Sequence, residues 1–99
     1  MPIKTVPFDA SEFLSTDESH TELLADAFAS GDASYVAHAL GIVARARGMT
    51  AVAKETGLAR EALYRSLSDK GDPRLSTLLG VVRALGMKLT ITPAPHEPA

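Results

Sequence analysis

Apolar side chains recur three and four residues apart through most of the chain, the spacing that places them on one face of an α-helix. Leu23, Leu24, Ala27 and Phe28 form one such stripe, on a helix capped by Thr16 or Ser19 and running to about Ala29. Gly31 ends it, and Asp32 has the side chain to cap the next. Val36, Ala39, Leu40, Val43 and Ala46 share a face of a helix over 33–47, which Gly48 ends. Leu75, Leu78, Leu79, Val82 and Leu85 predict the buried face of a helix over 73–85, with Asp72 as its cap, Pro73 at its first position and Gly86 at its end. Ahead of all these, Asp9 and Glu12 have capping-box spacing, so a short helical turn follows an extended start holding Pro2 and Pro7. At Met87-Lys-Leu-Thr-Ile-Thr92 the period changes to two, the pattern of a half-buried strand. A strand needs a neighbour; the candidates are Ile3–Val6 and the same strand of a second subunit. The proline-rich tail, 93–99, is expected to be disordered.

The middle of the chain, Met49 to Ser68, reads as two short helices joined by a tight turn. Ala53 is small enough to let a second helix cross closely. Gly57, four residues later, can take the left-handed conformation that a turn there needs. Leu58 closes the turn from the apolar side, and Leu63 and Leu67 anchor the second helix, about 59–67, to the core. Its outward face keeps Arg60, Glu61, Tyr64 and Arg65. That is the architecture of a helix-turn-helix, whose second helix enters the DNA major groove; a plain helical hairpin would share its spacing. Thr50 is the expected cap of the first helix, where its hydroxyl would point toward a phosphate, and Lys54 is exposed on it. Ala59 occupies the cap position of the second, a start weaker by about 1 kcal/mol than serine or threonine would give. Arg60 and Arg65 can donate paired hydrogen bonds to guanine or bind phosphate. Glu61 can accept from cytosine or pair with Arg65 one turn on. Tyr64 can touch a thymine methyl or a phosphate, or sit half-buried on the core rim. Arg45 and Arg47 suit the negative end of helix 33–47, and could also reach a phosphate.

Charge adds a division that hydropathy does not show. Residues 1–32 hold seven acids and one base, a net −6; residues 33–92 hold nine bases and four acids, a net +5. The second part can meet phosphates, whereas the first would be repelled by DNA and suits a basic protein. An acidic solvated helix face would carry the same charge. With 99 residues the chain makes one domain, over 1–92: an acidic helical segment at 1–32, a helical core at 33–86 and a strand at 87–92. No cysteine is present, which excludes disulfides and thiolate metal sites and fits the cytoplasm. No apolar run is long enough to span a membrane, and the first residues do not have the pattern of a secretory signal. His20, His38 and His96 lack metal-ligand spacing and are expected to be exposed or half-packed. Neither a phosphate-binding glycine loop nor a paired acid and base is visible, so an enzyme is not expected, nor a cofactor.

Taken together, Ala44-Arg-Ala-Arg-Gly-Met-Thr50, Val52-Ala-Lys-Glu-Thr-Gly-Leu58, Arg60-Glu-Ala-Leu-Tyr64 and Leu75-Ser-Thr-Leu78 resemble the addiction-module antidote proteins. These are small HigA-like antitoxins with a phage-repressor-like helix-turn-helix. Pro7-Phe-Asp-Ala10 and Leu40-Gly-Ile-Val-Ala44 match as well, so the likeness covers about residues 5–91. It implies an all-α, five- to six-helix, lambda-repressor-like DNA-binding domain with a short C-terminal β-strand. It also implies an antitoxin that binds a small basic, RelE/HigB-like, messenger-RNA-cleaving toxin and represses its own operon as a homodimer on a palindromic operator. The DNA-reading positions would be Ala59, Arg60, Glu61, Tyr64 and Arg65, with Thr50 and Lys54 near the backbone. Ala51 stands where such helices often carry glutamine, and Ala59 where serine is usual, which removes two polar contacts from the DNA side. A stand-alone phage-type repressor and a helical interaction module without DNA binding are the other two readings. The acidic N-terminal segment is expected to contribute to toxin contact.

Overall fold

A computed structural model describes residues 17–95. Five helices follow one another: α1 (Asp17–Ser30), α2 (Ala33–Arg47), α3 (Met49–Thr56), α4 (Arg60–Ser66) and α5 (Leu75–Ala84). The extended start, the Asp9–Glu12 turn, the Thr16 cap and residues 96–99 lie outside the described residues.

The helix ends follow from local chemistry. The Asp32 carboxylate accepts from the N–H groups of Ser34 and Tyr35, which caps α2 as its sequence predicts. Gly48 alone links α2 to α3, so the chain re-enters a helix at once. Thr50 therefore lies in the first turn of α3 and is not its cap; Gly48 holds that position without a side-chain bond. Ser19 likewise lies inside α1, buried, rather than capping it. At the far end of the fold α5 starts at Leu75, two residues later than Pro73, with Arg74 at the cap position. It closes with Gly86 N–H donating to the Arg83 carbonyl and Met87 N–H to the Val82 carbonyl, the paired bonds of a Schellman motif.

The core runs through every helix. Leu24 and Ala27 of α1, Ala39, Leu40, Val43 and Ala44 of α2, Met49 and Val52 of α3, Leu63 of α4, and Val81 and Val82 of α5 are buried together with Leu67 and Leu85. Central placement of α2 explains why Ala37 and Gly41 are buried beside the predicted stripe, while Ala46 is exposed. A Cβ at position 41 would overlap the Leu67 carbonyl oxygen, so Gly41 is where α2 meets the end of α4. The most extensive helix contact is α3 on α5, where Gly80 faces Thr56. That contact rotates α5: Gly80, Val81 and Val82 are buried, while Leu75 (70% exposed) and Leu79 (42%) face outward, against the predicted buried stripe.

Residues 87–95 follow α5 without helix or strand and pair in no ladder with any described residue. The predicted strand at 87–92 is thus not realised here. Alternation supplies two faces but not a ladder, and the Ile3–Val6 candidate lies outside the described residues.

Candidate nucleic-acid interface

Between α3 and α4 the chain reverses over three residues. Gly57 adopts φ +75° and ψ +10°, the left-handed conformation, and its N–H donates to the Ala53 carbonyl at 2.8 Å. Thr56 Oγ1 accepts from Leu58 N–H at 3.3 Å, and Leu58 packs on the core rim. Ala59 then takes the cap position of α4 in extended conformation with no side-chain bond. Buried Leu63 and Leu67 fix which side of α4 faces inward.

The opposite side carries the predicted contacts. Thr50, Lys54, Ala59, Arg60, Glu61, Tyr64 and Arg65 are all exposed. Residues 60, 61, 64 and 65 occupy one helical face, since positions four apart stack and positions one apart flank them. Glu61 and Arg65 do not pair: among the described residues the ion pairs are Arg47–Asp17 at 3.1 Å and Arg83–Glu55 at 3.5 Å. The Glu61 carboxylate and both arginines are therefore open to a ligand. Tyr64 is held from above, with the Arg45 guanidinium 5.2 Å from its ring centre. This cation–π contact ties the last turn of α2 to α4 and adds a base to its exposed face.

Arg47 takes another course. Its Nε donates to His20 Nδ1 at 2.9 Å, its Nη1 donates to the Leu85 carbonyl at 2.9 Å, and Nη2 reaches Asp17. It clips α1 and the end of α5 to the end of α2 and has no reach left for a phosphate. Its partner His20 is 1% exposed, in contrast to the expected exposed or half-packed histidine, and its Nε2 has no hydrogen-bond partner. His38 is exposed, and His96 lies outside the described residues. Elsewhere on α1, the Tyr35 hydroxyl donates to Asp26 at 2.6 Å. This bond, with lesser contributions from desolvation and the Asp26 charge, holds the phenol above the usual tyrosine range. Glu18, Glu22 and Asp26 line the exposed side of α1.

Among the described residues no group of acids, histidines or cysteines could hold a metal ion, and no helix is long and apolar enough to cross a membrane. What remains, among the described residues, is an all-helical fold with an exposed basic face on α4 and an acidic α1. The chain belongs to the family described as probable addiction module antidote protein, which matches residues 4–93. It is also 33% identical over 84 residues to an uncharacterised protein of Haemophilus influenzae, an alignment covering 85% of this chain and 87% of that one. No solved structure matches it. Membership makes the protein an addiction-module antitoxin, and an antidote implies a toxin partner.

Proposed function

We propose that this antitoxin has two activities: it neutralises a small basic RelE/HigB-like toxin by direct binding, and it represses its own operon. The first would use the exposed acids of α1, whose charge complements a basic partner. The second would use α3 and α4 as a phage-repressor-like, HigA-like helix-turn-helix, with α4 in the major groove of a palindromic operator. One homodimer would meet two half-sites about one helical turn, roughly 34 Å, apart. Neither activity requires catalysis or a cofactor by this chain, and both belong to the cytoplasm.

The observation that carries the DNA reading is the α4 face. Arg60, Glu61, Tyr64 and Arg65 are exposed together, while Leu63 and Leu67 lock the helix below them. A purely structural hairpin has no need for two unpaired arginines beside a tyrosine that a third arginine covers. The test is binding to the DNA upstream of its own gene at two salt concentrations, with Arg60→Ala and Arg65→Ala alongside. Sequence-specific binding should weaken in salt, and each variant should lose about 1–3 kcal/mol if its arginine reads a base. No binding at low salt would sink the repressor reading and leave an antitoxin that acts on its toxin alone.

A further inference from the structure

The exposed arm at 87–95 lies along α1 and leaves an apolar groove of about 760 Å³ floored by Leu24, Ala25 and Phe28. Its own apolar side chains do not close it: Ile91 is 97% exposed and Leu89 41%. The arm starts in a fixed place, because Met87 N–H donates to Val82 and Arg47 holds the Leu85 carbonyl. It is also bounded. Met87 has already used its N–H, and Pro93 and Pro95 have none, so the unbroken run of backbone donors free for pairing is residues 88–92, with the Ala94 N–H isolated between two prolines.

We propose that the arm of a second copy of this chain pairs antiparallel with this one, forming a two-stranded ribbon across the groove. The inference rests on the homodimer proposed above and specifies its surface. Residues 88–92 are five, and a two-fold axis that pairs all of them must pass through the middle one, Thr90. In that register Leu89 of each copy faces Ile91 of the other, and the four apolar side chains share the face toward the grooves. Lys88, Thr90 and Thr92 share the other face, where each Lys88 meets a threonine rather than a second lysine. The ribbon satisfies the donors along one edge of each arm, which a single chain leaves exposed, and covers Ile91, the most exposed large apolar side chain among the described residues. The outward leucines of α5, Leu75 and Leu79, offer side chains but no backbone to pair. A toxin segment in the groove has no such match in register; it is an outcome the experiment separates.

The chain contains no cysteine, so single cysteines report on geometry without background. Thr90→Cys and Lys88→Cys are compared under mild oxidation, and the wild type and Ile91→Glu are sized by sedimentation at tens of micromolar. The expected results are a dimeric wild type, a monomeric but folded Ile91→Glu, and an intermolecular disulfide at position 90 far exceeding that at 88. Folding of the variant is checked by an unchanged helical circular dichroism spectrum and a cooperative melt that, unlike that of the dimeric wild type, does not depend on protein concentration, since Ile91 has no packing to lose in the monomer. A dimeric wild type whose Ile91→Glu variant stays dimeric overturns the ribbon and leaves the homodimer to another surface. Cross-linking at 90 no better than at 88 overturns the register. A monomeric wild type overturns ribbon and homodimer together, and toxin binding, measured separately, is untouched by either.

Discussion

Arg47 is the side chain on which most of the fold's polar interior converges. It satisfies a carbonyl at the end of α5 and the buried Nδ1 of His20, and only its Asp17 contact is solvent-exposed. Arg47→Ala would leave the histidine acceptor buried and unpaired and the carbonyl without its donor. We expect a loss of about 1–3 kcal/mol, read as a lower urea midpoint, with the slope of the transition unchanged. Its neighbour Arg45 should behave differently. Arg45→Ala removes an exposed cation–π contact and should cost about 0.5–1 kcal/mol, so the two arginines differ in stability effect despite sitting two residues apart. Tyr35 gives a second check at this scale. The chain has two tyrosines, so in Tyr64→Phe the ultraviolet titration reports Tyr35 alone. Because Asp26 raises its pKa, the midpoint should lie above the ordinary tyrosine value of about 10. Asp26→Asn should bring it back down. The sign follows from linkage: the neutral phenol is the favoured form, so its contribution is complete below the ordinary value and is lost as pH rises through the raised one.

At the scale of elements, the turn between α3 and α4 depends on one residue. Gly57→Ala places a Cβ in the left-handed region, and we expect it to cost about 1–2 kcal/mol in chemical denaturation. Gly41→Ala should also destabilise, by about 1–3 kcal/mol, because the obstacle is the Leu67 backbone and α2 must move off α4. The two glycines also show what a sequence can display. Gly57 was legible because its need is local: a small residue four positions before, a leucine after, and a turn between. Gly41 was not, because its need appears only when a segment 26 positions away arrives against it. The same distinction runs through α5. Apolar residues occupy so many of its positions that several stripes fit, and the contact of Gly80 with Thr56 decides among them. Arg45 and Arg47 were assigned alike although positions two apart point to nearly opposite sides of a helix, so that separation was available from periodicity. The exposed face of α4 follows from Leu63 and Leu67 alone, and its residues lie where their spacing puts them. Alternation in 87–92 was equally visible, yet a strand is a property of two segments and one segment cannot specify it.

For the whole molecule, the question is whether the acidic and basic surfaces act separately. Removing residues 1–30 would be a poor test of toxin contact, because Leu24 and Ala27 belong to the common core and the deletion would unfold it. Charge reversal on exposed positions avoids this. Glu18→Lys with Glu22→Lys changes the net charge of the chain from −2 to +2 while touching no buried group. If α1 meets a basic toxin, the association rate should fall several-fold and lose much of its salt dependence, with dissociation changed less. Operator binding should persist, somewhat strengthened at low salt by the added positive charge. Arg60→Ala should do the reverse, weakening operator binding and leaving toxin binding intact. Loss of both activities in both variants would mean that the surfaces are energetically linked, and Arg47 would then be the place to look. It is the side chain that joins α1, which carries the acids, to the end of α2, two residues before α3 begins. In that case Arg47→Ala, in protein confirmed to be folded, should uncouple the two activities: toxin would bind without altering operator affinity, as measured by titrating toxin into a preformed operator complex.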